Sequence, residues 1–148
     1  MAVAINQNRT DVGIMNTKLP ALNPDNSSFW QGGERGELLI HHCNPCDRYF
    51  HPPAPVCPHC ASVDVTPRPV SGKGKVLSFT INHQQWFPGL EVPYVVAIVE
   101  LAEQKGLQFL TNIVGCRPED VAIDMPVRVS FKQVEDIWLP LFEPRFLS

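Results

Sequence analysis

The sequence predicts a mainly β protein: a short N-terminal helical segment, a metal-stapled ribbon, and a five-stranded barrel. Three observations carry this. Two Cys-x2-Cys pairs, Cys43/Cys46 and Cys57/Cys60, lie ten residues apart. Fifteen prolines among 148 residues are about twice the average usage, and proline interrupts helices. From Gly72 onward, β-rich segments follow one another with one proline-started turn between them.

The length fits one domain or two small ones. Only 18% of residues are charged and 44% are hydrophobic, which argues against disorder for most of the chain. Residues 1–25 are polar, contain Pro20 and Pro24, and read as a flexible or partner-bound arm. Ser28 is a candidate cap for a helix that begins at Phe29-Trp30-Gln31. That helix must be short, because Gly32, Gly33 and Gly36 follow. Glu37–His42 reads as a strand running into the first cysteine. Arg48-Tyr49-Phe50 supplies a short strand between the cysteine pairs, and residues 63–71 form a strand leading to a connector. These elements divide the chain into an arm and helix at 1–36, a ribbon at 37–68 and a barrel at 69–148.

The barrel strands are Lys75–Asn82, Pro93–Leu101, Leu107–Val114, Val127–Val134 and Ile137–Phe142. Pro118 starts a single helical turn, with Glu119 and Asp120 favourable in its first turn. Val127, Val129 and Phe131 alternate with Arg128, Ser130 and Lys132, the period of a half-buried strand. Pro140 marks the last strand as an edge. The order β-β-β-turn-β-β fits a Greek-key barrel of the OB type, with an SH3-like barrel as the alternative.

Each Cys-x2-Cys pair forms a tight knuckle, and two facing knuckles make one tetrahedral site. Four thiolates leave no open position, so Cys43, Cys46, Cys57 and Cys60 are expected to hold a structural Zn²⁺. Iron in a rubredoxin-type site uses the same ligands. His41, His42, His51 and His59 lie close in sequence and read as surface or supporting residues, not ligands. Cys116 closes an apolar strand and reads as a buried thiol. The N-terminus lacks a basic, apolar export signal, and the longest apolar run, Tyr94–Val99, is far too short to span a membrane. A cytoplasmic protein is expected, where thiol pairs bind metals more often than they form disulfides.

Twelve basic and fifteen acidic residues give a net charge of −3, which disfavours a nucleic-acid-binding module. Val65–Leu90 nevertheless contains Arg68, Lys73 and Lys75 and no acid. His83 lies in a loop with Trp86 and Phe87, but no motif assembles a nucleophile, base and oxyanion site around it. An acyl-CoA hydrolase using His83 is the enzymatic alternative.

One series of motifs resembles a known family. It runs from Phe29-Trp30 through Gly36-Glu37-Leu38, the two cysteine pairs and Gly72-x-Gly74-x-Val76-x-Ser78-Phe79-Thr80. Pro93-Tyr94-Val95-Val96, Thr111–Cys116 and Met125-Pro126-Val127 complete it. Over about residues 26–144 the chain resembles the domain-of-unknown-function 35 proteins. The resemblance implies a rubredoxin-like zinc ribbon joined to an OB-fold barrel. It further implies a non-catalytic partner of thiolase-superfamily or lipid-transfer-protein-like enzymes in a hetero-oligomer acting on acyl-CoA. By the same resemblance, Cys43, Cys46, Cys57 and Cys60 are the zinc ligands, and Arg68, Lys73 and Lys75 are candidates for CoA phosphates. Phe29, Trp30, Trp86 and Phe87 are candidate interface anchors, with core packing as the alternative.

Overall fold

A computed structural model describes residues 19–146; most of the expected N-terminal arm, residues 1–18, lies outside the described residues. One short helix, α1 (Ser27–Gln31), and a 3-10 turn (Gly32–Arg35) precede eight strands. β1 (Leu38–Cys43), β2 (Arg48–Phe50) and β3 (Val65–Val70) form an antiparallel sheet in the order β2-β1-β3. β4 (Lys73–Asn82), β5 (Tyr94–Leu101), β6 (Gln108–Ile113), β7 (Pro126–Val134) and β8 (Ile137–Pro144) close a barrel in the order β4-β5-β6-β8-β7. The expected mainly β architecture is therefore observed, with a five-stranded closed barrel beside a four-cysteine ribbon.

Five helical residues cannot persist alone, because helix nucleation costs more than one turn returns. Packing holds α1: Phe29 is 3% exposed and sits in the barrel's core cluster. Its ring meets Phe109 edge-on at 6.2 Å and His51 at 4.7 Å. The expected cap is corrected. Ser28 lies inside the helix, and the capping position is Asn26, which makes no side-chain cap bond. Asn26 is occupied upstream, where its Oδ1 accepts from the Asn23 N–H at 2.8 Å and its Nδ2 donates to the Ala21 carbonyl at 3.1 Å.

β1 joins the two parts. It is buried along its whole length because it is the central strand of the ribbon sheet and also packs on the barrel. Leu38 and Ile40 belong to the barrel core, while Cys43 belongs to a second, small cluster with Phe50 and Cys57. That second cluster contains a single large apolar side chain, too little to hold a fold.

In β5 burial alternates strictly: Val95, Ala97, Val99 and Leu101 point inward. β7 follows its expected alternation less strictly, since Val127 is fully buried but Val129 and Phe131 are only partly so. The helical turn between the third and fourth barrel strands is a 3-10 turn, Pro118–Asp120, behind which Val121 enters the core. Pro140 does not mark an edge: β8 lies between β6 and β7. β8 tolerates proline because its ladder with β6 is a single pair, Ile113↔Phe142. The Pro140 carbonyl instead accepts from Thr111 Oγ1 at 2.9 Å.

Candidate functional site

The two knuckles bring Cys43, Cys46, Cys57 and Cys60 together with all four sulfurs within 4.8 Å of one another. Cys43 and Cys60 Sγ are 3.4 Å apart, and Cys46 and Cys57 Sγ are 3.7 Å apart. A tetrahedral Zn²⁺ with Zn–S bonds of about 2.3 Å spaces its sulfurs by about 3.8 Å, so the donor set fits the metal. A disulfide needs about 2 Å, and the cysteines are free. Burial pushes the Cys46 thiol up to about 12, with the other three sulfurs adding to the effect. Burial also raises Cys57, but hydrogen bonds from the Cys60 and His59 backbone, together with those from the Cys43 and Cys46 thiols, outweigh it and bring this thiol down to about 7. Such N–H groups are the knuckle's means of stabilising thiolate.

Of the histidines expected to be surface or supporting residues, two are buried, one is half-buried and one is on the surface. His41 and His42 are 6% and 2% exposed. His42 Nε2 lies 2.8 Å from Asp47 Oδ1, which ties the first knuckle to β1. His51 packs between Phe29 and Phe109, and only His59 is exposed. No histidine joins the four-cysteine cluster among the described residues. Cys116 is partly rather than fully buried; it packs against the core, and burial raises its thiol.

A second feature lies on the barrel wall. A cavity of about 450 Å³ sits where β6 and β8 barely pair, lined by Trp30, Leu110 and Leu139–Leu141 among others. A neighbouring cavity of about 330 Å³ is lined by Trp86, Phe87 and Tyr94. The two share Leu110, Thr111 and Asn112. Three of the predicted aromatic anchors therefore flank one residue, Leu110, which is 68% exposed. Trp86 is 69% and Phe87 40% exposed. Phe29 differs from the other three: it is 3% exposed, packs in the barrel core and reaches the larger cavity only as part of its lining. The loop carrying Trp86 is built, not loose. Trp86 Nε1 donates to Asn82 Oδ1 at 3.0 Å, and Gln85 Nε2 donates to the Leu90 carbonyl at 2.8 Å. Leu110 was missed at the sequence level, although a signal exists. Consecutive Phe109 and Leu110 must face opposite sides of a strand, so one of them lies outside the core.

The predicted basic residues do not converge on one cavity. Arg68 lies on β3 opposite Ile40, and its Nη2 donates to Asn44 Oδ1 at 3.1 Å. Lys73 and Lys75 are exposed on β4, with Lys75 Nζ 3.8 Å from Asp124. Lys75 lines a cavity of about 500 Å³ with Lys105 and Arg145, which neither Arg68 nor Lys73 lines. His83 is exposed and lies outside both apolar cavities. No described helix is long and apolar enough to cross a membrane.

Comparisons with known proteins agree with this anatomy. Residues 30–66 match the family model for the ChsH2 rubredoxin-like zinc ribbon domain. Residues 67–132 match that for the ChsH2 C-terminal OB-fold domain. A protein of Thermomonospora curvata named "Probable enoyl-CoA hydratase alpha subunit" is 39% identical over 84% of this chain. The chain spans only 39% of that relative's length. A DUF35 domain-containing scaffold protein of Methanocaldococcus jannaschii is 35% identical over 70% of this chain and 73% of its own length. Among solved structures, a chain of the Ltp2-ChsH2(DUF35) aldolase superposes with a TM-score of 0.76 at 38% identity. That match covers 85% of this chain and 98% of the other.

Proposed function

The chain belongs to the DUF35 family of zinc-ribbon and OB-fold proteins, and from that premise we propose that it is a non-catalytic partner subunit of a thiolase-superfamily enzyme. The assembly cleaves or forms carbon–carbon bonds in acyl-CoA substrates. The single observation that carries this reading is the aromatic face around Leu110. Trp86, Phe87 and Leu110 together leave a large apolar surface in water on a well-braced barrel wall. Fully burying such side chains contributes about 1.5–3 kcal/mol each, and tryptophan is a frequent interface hot spot. Relatives that carry the words hydratase subunit, scaffold protein and aldolase in their names support a role inside an assembly. In this reading a structural Zn²⁺ held by Cys43, Cys46, Cys57 and Cys60 keeps the ribbon folded, and the barrel helps hold the CoA thioester.

Co-expression with a thiolase-like enzyme tests the reading. The enzyme should be insoluble or inactive alone and should co-purify with the wild-type chain. Leu110→Arg should abolish co-purification while leaving fold and zinc content unchanged. An enzyme fully soluble and active by itself, or wild-type pairing by Leu110→Arg, would overturn it.

A further inference from the structure

We propose that the cleft between β2, the second cysteine knuckle and the β5–β6 turn is a binding site for a phosphate-bearing small molecule, held by Arg48 and Lys105. The proposal is independent of the partner-subunit reading. The cleft measures about 410 Å³, within the range of small-ligand sites. Arg48, His59 and Lys105 line it, and no carboxylate does. For a chain with fifteen acids and twelve bases this is a local inversion of charge.

The inversion has a structural origin. The nearest carboxylates in sequence are each held by hydrogen bonds and none lines the cleft; Glu100 is bonded to Gly106 of the cleft's own turn and shares a neighbouring cavity with Lys105. Asp47 meets His42 at 2.8 Å. Glu100 accepts from the Gly106 N–H at 2.8 Å, and Glu103 accepts from the Ser71 N–H at 2.7 Å. Among the described residues, neither Arg48 nor Lys105 has a carboxylate within ion-pair distance. Arg48 instead places Nη1 3.3 Å from His59 Nδ1, which holds the guanidinium at the cleft.

The frame is rigid where the ligand would sit. Gln104 fixes the turn to β2 through two bonds to the Tyr49 backbone, so Lys105 projects from an anchored turn. A guanidinium fork matches phosphate oxygens in pairs, and an ammonium on the facing turn adds a second positive charge. Tyr49, Pro58 and Leu107 supply apolar wall against which a base or other flat group could lie. Arg68, Lys73 and Lys75 do not line this cleft.

The test is an amide chemical-shift titration of the whole zinc-loaded chain with inorganic pyrophosphate at low ionic strength. Saturating shifts are expected at Arg48–Phe50 and Gln104–Leu107. Paired Arg48→Gln and Lys105→Gln changes should weaken binding by about tenfold or more, since each removes a charge-assisted contact. The single change Lys105→Glu, on an exposed turn, should also weaken it, and Arg68→Gln should not. Shifts that fail to saturate, or affinity unchanged in the paired variant, overturn the proposal. A parallel titration with ADP distinguishes sources: tighter binding than pyrophosphate assigns the apolar wall to a nucleotide base, and equal binding assigns the site to the diphosphate alone. Both results support the site.

Discussion

Gln104 and Tyr49 exchange two hydrogen bonds across 55 residues of sequence. The Tyr49 N–H donates to Gln104 Oε1, and Gln104 Nε2 donates to the Tyr49 carbonyl, each at 2.9 Å. The amide side chain acts as a short extra strand beside β2, whose own ladder is made with β1. It thereby docks the ribbon on the tip of a barrel hairpin. Each bond is worth about 1 kcal/mol net. Gln104→Ala should therefore destabilise the ribbon by about 2 kcal/mol. Hydrogen exchange at the Tyr49 amide reads the effect, and unchanged protection there would refute the clamp.

The ribbon's own apolar cluster amounts to Phe50 with Cys43 and Cys57, so its order should depend on the metal. Cys46→Ser is expected to lose zinc and to release amide protection between β1 and β3. β5 should keep its protection, because its inward residues belong to the other cluster. Metal analysis and hydrogen exchange on one sample check both halves of this expectation. Retained zinc in Cys46→Ser would contradict the four-thiolate assignment.

Acid should act through His51. Burial, with the neighbouring charge of His41, pushes its imidazole down to about 4 from an ordinary value near 6.5. The folded protein thus keeps His51 neutral where the unfolded chain binds a proton. This contribution to stability is complete above about pH 6.5 and is lost as pH falls toward 4. The total is on the order of 3 kcal/mol. His51 Nδ1 is buried without a hydrogen-bond partner, and its ring already packs on two phenylalanines. His51→Phe should therefore be tolerated and should gain on the wild type between pH 6.5 and 4. Denaturant unfolding across that range decides it; parallel curves for the two proteins would refute the cause.

Gly33 packs the 3-10 turn onto the barrel at contact distance. A Cβ there would stand 2.5 Å from Trp138 Cβ and 2.6 Å from Phe131 Cδ1. Neither neighbour can retreat, since both are held in the β7–β8 hairpin. Gly33→Ala should cost about 1–3 kcal/mol, the usual cost of overpacking. Gly36→Ala makes no such contact and changes only a turn at φ 72°, so its cost should arise from the backbone alone. Melting curves of the two variants separate steric from conformational cost.

Much of this architecture was legible in the residue order. The cysteine spacing places sulfurs in facing knuckles whatever the rest of the chain does, because a knuckle is a local object. The alternation of Val127, Val129 and Phe131 with polar neighbours marks a half-buried strand. β5 instead reads as a continuous apolar run, and only the fold puts Val95, Ala97, Val99 and Leu101 inside. The barrel's strand count followed from five β-rich segments separated by turn residues. The position of β8 did not. A proline in a strand reads as an edge, and only the closure of β6 against β8 through one pair makes it interior.

The functional surfaces divide in the same way. Cysteine type and spacing are enough to specify the metal-binding geometry, since tetrahedral thiolate coordination depends on a few neighbouring bonds. The aromatic face, the acid-free cleft and the Gln104–Tyr49 clamp depend on residues far apart in sequence. Trp30 and Trp86 become neighbours of Leu110 only because α1 and the β4–β5 loop arrive at opposite sides of β6. Arg48 and Lys105 line one cleft because a hairpin tip docks on β2, and no carboxylate lines it with them. Charge counts along a chain cannot express this, because electrostatics and burial act through distances in space that folding alone sets.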